Sequence, residues 1–109
     1  VAIRDDIERL VARMNANPGP IRTLNAVYQF DFGEGRLLQV RFHGGQAELA
    51  DGAPNAADCK LTLSEATLLR LMRKQVNAMQ VYTAGELKVE GRLTAAFRLQ
   101  EVLKAYPSL

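Results

Sequence analysis

The runs "VYQFDF" (27–32) and "LLQVRFH" (37–43) alternate apolar and polar residues with a period of two, and a short glycine turn, "GEG", joins them. Successive side chains of a strand point to opposite faces, so Tyr28, Phe30 and Phe32 share one face, as do Leu38, Val40 and Phe42. The spacing predicts a hairpin with one apolar and one polar face. The rest of the chain must then cover the apolar side, while the polar rows are expected to meet water.

The flanking patterns supply the cover. From Ile3 the apolar residues fall at Ile3, Ile7, Leu10, Val11 and Met14, one face of a helix, with Asp5 and Arg9 placed to pair on the other. "NPGP" at 17–20 stops it. After the "GG" turn, Ala47 and Leu49 alternate with Gln46 and Glu48 in a third, shorter strand, and a loop, "ADGAPNAA", leads to "DCKLTL" with Cys59, Leu61 and Leu63 on one side. Ser64 is placed to cap a helix over "EATLLRLMRK". Asn77 and Gln80 have capping-box spacing at the start of a second, short helix. "ELKVE" (86–90) reads as a fifth strand, and a last helix runs from about Arg92 to Tyr106. A run of meander strands with interposed helices predicts an α+β fold, with the helices gathered on the apolar face of the sheet.

With 109 residues and no break in composition, the chain is expected to be a single domain, 1–109. Fourteen basic residues against 12 acidic ones, with no dense Lys/Arg block, argue against nucleic acid as a partner. The most basic short patch, Arg70, Arg73 and Lys74, reads as an anion-friendly spot or as a solvated face. A lone cysteine, Cys59, points to a reducing, cytoplasmic setting. No apolar run approaches the roughly 18 residues of a membrane span. "VAIRDDIERL" is acidic where a signal sequence would be basic and then apolar, and "YPSL" does not match a peroxisomal ending.

No catalytic constellation stands out. Gly85 and Gly91 enclose five residues without the lysine and hydroxyl of a phosphate loop, and "GEGRLL" joins two strands rather than a strand and a helix. Gly85 reads as a helix end and Gly91 as the tight exit from the fifth strand into the last helix. His43, the only histidine, has no serine or cysteine beside it and no second ligand at metal spacing. No enzyme activity, cofactor or metal is expected. What remains unusual is an apolar surplus: Leu93, Ala96, Phe97, Leu99, Val102, Leu103 and Tyr106 cover more of the last helix than one sheet needs. Ordinary core, a homodimer contact and a ligand space all remain open on periodicity alone.

"ADCKLTLS", an amphipathic helix and then "VYTAGELKVEGRLTAAFRLQEVL" resemble the sterol carrier protein 2 family. The matching positions are Ala57, Asp58, Ser64, Tyr82, Gly85, Leu87, Lys88, Gly91 and Leu99. Lys74-Gln75 stands where a Gly-Lys pair is common, and Arg92 replaces the usual acid. The resemblance implies a five-stranded mixed, mainly antiparallel sheet with helices on one face. It also implies non-catalytic binding or transfer of fatty acyl chains, fatty acyl-CoA, phospholipid or sterol in an apolar tunnel beside the C-terminal helices, with Leu69, Met72, Val76, Met79, Tyr82, Thr83, Leu93 and Phe97 as tunnel residues. Transient membrane contact would accompany transfer. Bacterial relatives occur as lipid-holding domains of larger enzymes or in ubiquinone synthesis. A protein-interaction module dimerising through the same apolar face is the alternative.

Overall fold

A computed structural model describes residues 2–107. Helix α1 (Ala2–Ala16) is followed by a 3-10 turn, strands β1 (Ala26–Asp31), β2 (Leu37–His43), β3 (Gln46–Asp51) and β4 (Cys59–Thr62), helices α2 (Glu65–Met72) and α3 (Ala78–Thr83), strand β5 (Lys88–Gly91) and helix α4 (Leu93–Lys104). The five strands form one sheet in the order β3-β2-β1-β4-β5. β1 and β4 are parallel, and the other pairs are antiparallel. The fold is thus the mixed, mainly antiparallel α+β sheet expected.

The aromatic row of the first hairpin forms the base of the core. Tyr28, Phe30, Phe32, Leu38, Val40 and Phe42 are all buried, and Tyr28 meets Phe42 edge to face at 5.7 Å. The α1 stripe of Ile3, Ile7, Leu10 and Met14 is buried with them. The helix is also tied to the edge strand. Asn15 accepts from the Ala47 N–H (2.8 Å) and donates to the Ala47 carbonyl (2.9 Å), standing in for the strand that β3 lacks. At the other end of β3, Arg4 holds both carboxylate oxygens of Asp51. The charge pairs on α1 are Arg4 with Glu8 and Arg9 with Asp6, not Asp5 with Arg9, because Asp6 lies on the buried side, within Arg9's reach at i,i+3.

The polar face of the sheet is not left wholly to water. To place β4 parallel to β1, the chain must leave the β3 edge and cross both β2 and β1, and the connection over 52–58 does so on the outer face. Gln39 lies beneath it, 0% exposed, donating to the Asn55 carbonyl and to Gln29 and accepting from the Asn55 N–H. A buried amide with both ends satisfied pins this crossing at little cost. Alternation alone does not reveal it, because a buried glutamine and a solvated one look alike in sequence.

Helix α4 is clipped at both ends. The Tyr28 hydroxyl donates to the Ala95 carbonyl at 2.7 Å, and the Tyr106 hydroxyl to the Asn17 carbonyl at 2.7 Å. Burial pushes both phenols up from their ordinary range, and burial next to Asp58 does the same to the Cys59 thiol. Each folded-state group therefore keeps its proton where the unfolded chain has lost it, so stability must fall as pH rises. Urea unfolding followed against pH is expected to show this contribution intact below about pH 8, declining once Cys59 would ionise in the unfolded chain and more steeply beyond about pH 10. A flat profile through pH 11 would contradict this account.

Candidate functional site

Between its clipped ends, α4 bridges under-packed space. A cavity of about 40 Å³ lies between the sheet and the helices. Its walls are apolar throughout and include Ile7 and Met14 of α1, Phe30 and Val40 of the sheet, Leu68 and Met72 of α2, and Leu99 and Leu103 of α4. A second space of about 30 Å³ adjoins it, sharing Phe30, Leu68, Leu99 and Leu103 as walls and reaching Leu61, Leu87, Ala96 and Gln100. Leu99 and Leu103 are half-buried, so they form a partition that lies over both spaces. Apolar space of this kind stays dry and costs stability when empty, on the order of 1 kcal/mol here.

A third hollow, a cleft of about 220 Å³, opens where α2 gives way to α3 beside the end of α4. Leu71 walls both this cleft and the second apolar space, and Leu103 walls all three. Lys74, Gln75, Asn77, Gln80, Gln100 and Lys104 supply its polar side. Helix α2 ends here in a left-handed residue, Lys74 (φ 61°), with the Gln75 N–H reaching back to the Arg70 carbonyl at 2.9 Å. This is the closure usually made with glycine at that position. Asn77 and Gln80 complete the expected capping box on α3.

The sequence-derived tunnel residues are spread over this region. Met72 lines the first cavity and Val76 the cleft. Leu69 packs against the core from one side, and Phe97 is half-buried on α4. Met79, Tyr82 and Leu93 are 51%, 42% and 42% exposed. Thr83 is exposed too, its hydroxyl donating back to the Met79 carbonyl. The basic spot separates: Arg70 reaches Glu86 at 3.3 Å, while Lys74 turns into the cleft and donates to the Lys104 carbonyl. The cavity walls from α1, and Leu68, Leu99 and Leu103, were each visible as apolar positions on a helix stripe. Which of them faces empty space depends on how the helices rotate against the sheet.

His43 is exposed at the end of β2, and Cys59 is buried with its thiol held protonated. Among the described residues no cluster of His, Cys, Asp and Glu has the makings of a metal site, and no helix is long and apolar enough to cross a membrane. The arrangement offers apolar burial and a polar rim.

The chain is thus an α+β domain built on a mixed five-stranded sheet with its helices packed on one face. Residues 7–104 match the model of the SCP-2 sterol transfer family, and the chain belongs to that family. It is 30% identical over 78% of its length to stomatin-like protein 1 of Mus musculus, covering 23% of that protein. It is 25% identical over 75% of its length to sterol carrier protein 2 of Gallus gallus, covering 16% of it. The chain thus spans about a quarter or less of these curated relatives. A solved UbiJ-SCP2 ubiquinone synthesis protein superposes with a TM-score of 0.73 at 20% identity, over 93% of this chain and 88% of that one.

Proposed function

We propose that the chain, acting as one unit, is a non-catalytic lipid-holding domain that takes the apolar tail of a lipid between its sheet and helices α2 and α4. The observation that carries this reading is the pair of adjoining apolar spaces whose shared walls include two half-buried residues of α4, Leu99 and Leu103. Burying an acyl tail of roughly 16 carbons yields ~12 kcal/mol gross at about 0.8 kcal/mol per methylene, before several kcal/mol of immobilisation cost. Micromolar binding then needs no specific polar contact. The spaces of about 40 and 30 Å³ are far smaller than such a tail, so they widen on binding as the partition moves aside.

Entry is proposed on the α3 side. Lys74 bonds Lys104, and the Ala78 N–H bonds Gln100, so α3 runs antiparallel to α4. Continuing that stepping brings Tyr82 toward the first turns of α4, the level of Leu93 and Phe97. With Leu69, Met79 and Thr83 these residues form the surface across which the tail passes, and a transient membrane contact would deliver it. The UbiJ-SCP2 neighbour supports an isoprenoid tail as a variant. A reducing, cytoplasmic setting suits the buried free thiol of Cys59.

Displacement of a fluorescent fatty acid by unlabelled acids of increasing length tests the proposal. Affinity is expected to climb with each methylene until the space is filled, and then to level. The exposed Met79, Tyr82 and Leu93 favour a second reading, a docking module for a second copy. Absence of saturable binding at every chain length, with concentration-dependent dimerisation, would replace the carrier with that module.

A further inference from the structure

We infer that the cleft between the α2–α3 junction and the end of α4 is a site for the anionic head of a single-chain amphiphile, a carboxylate or a phosphate monoester. This inference rests on the tail-holding reading above and adds to it a preference for charge. Among the described residues no carboxylate side chain lines the cleft, whereas two ammonium groups do, those of Lys74 and Lys104. Four neutral amides, Gln75, Asn77, Gln80 and Gln100, complete the polar side, and the last three have their oxygens already engaged by backbone N–H groups. Asn77 accepts from Gln80 N (2.9 Å), Gln80 from Asn77 N (2.8 Å) and Gln100 from Ala78 N (2.8 Å). Those bonds settle which end of each of these three amides is which, so the groups these side chains still have to offer are NH2 donors. A wall that is rich in donors and carries positive charge complements an anion more than it does a neutral hydroxyl.

Position joins this wall to the tail space. Leu71 and Leu103 each form a wall of the cleft and of an apolar cavity, so an extended amphiphile can keep its head among the lysines while its tail passes beneath Leu103. The backbone at Lys74 adds an independent sign. A lysine there holds a left-handed conformation (φ 61°) that glycine adopts without strain. The nearest acid on the same helix, Glu101, stands 3.5 Å from the Lys104 ammonium with both side chains largely exposed, so water and salt weaken its claim on that charge.

The experiment measures displacement of a neutral fluorescent alkyl probe by dodecanoate, dodecyl phosphate and dodecanol at low salt. The anions are expected to bind about tenfold more tightly than the alcohol, with the two anions compared to tell which head the cleft takes. In Lys74→Gly/Lys104→Gln the ratio of anion to alcohol affinity should fall toward one. Lys74→Gly alone should lower the ratio while unfolding at the same temperature or higher, which separates loss of charge from loss of fold. Arg98→Gln, which removes a charge from the same helix outside the cleft, should leave the ratio unchanged. A dodecanol affinity equal to that of the anions, or a ratio preserved in the double variant, overturns the head site and leaves the tail reading standing. Failure of all three compounds to displace the probe overturns both.

Discussion

Gly91→Val is expected to lower the unfolding midpoint by on the order of 15–30 °C, the thermal equivalent of roughly 3–5 kcal/mol in a domain of this size. Two penalties combine at this residue. Its φ of 90° is one that residues with a side chain rarely adopt, and a Cβ placed on it would lie 2.5 Å from the Asp58 carbonyl oxygen. That oxygen is backbone and cannot swing away. It also accepts the Arg92 N–H at the start of α4. Asp58 is held in turn by Val27, whose N–H donates to its carboxylate at 2.7 Å. Pushing β4 and β5 apart here therefore disturbs the entry to α4, the helix over the cavities. Gly85→Val supplies the comparison: φ is 79°, but the surrounding space is open. Strain alone should cost it about 1–2 kcal/mol. Thermal unfolding of the two variants side by side decides the matter, and equal losses would mean that the close approach to Asp58 has no special weight.

Leu99→Trp is expected to weaken fatty acid binding tenfold or more while the protein remains folded. Leu99 stands in the partition between the two apolar spaces, and a larger ring there occupies the volume that a tail would need. Being half-buried, the new side chain has room to settle without forcing the core apart. Leu99→Ala acts in the opposite sense. It enlarges the empty space, destabilises the ligand-free protein by about 2–3 kcal/mol, and is expected to recover much of that loss on binding. Titration of a fluorescent fatty acid, with thermal unfolding in parallel, reads both effects. Thr83→Trp tests the other placement of the tail. If that variant abolishes binding and Leu99→Trp does not, the tail lies along α3 rather than between sheet and α4.

The order of elements was open to reading from the chain because each rests on local chemistry. Alternation along "VYQFDF" and "LLQVRFH" implies strands whatever they later pack against. Ser64, accepting from the Thr67 N–H, and the Asn77–Gln80 capping box start their helices with bonds that span only three residues. Gly85 and Gly91 both have the positive φ that their positions suggest. The family, too, was legible, since its closing motif keeps residues that these same tight turns require.

Other features needed the assembled fold, because they depend on partners far apart in sequence. Gln39 is buried only because the crossing from β3 to β4 passes over it, and Asn15 closes the β3 edge from 32 residues away. The apolar stripe of α4 was evident, but periodicity does not say which of Leu93, Phe97, Leu99 and Leu103 meets empty space. Tyr28 and Tyr106 decide that by clipping the two ends of the helix and setting its rotation. Lys74 and Lys104 are 30 residues apart, and nothing local links them. The sequence by itself determined the strands, caps, turns and family, because their energies are local. The cavities, the crossing and the cationic cleft were decided by tertiary structure, because a void or a pocket belongs to the fit between elements and to no one of them.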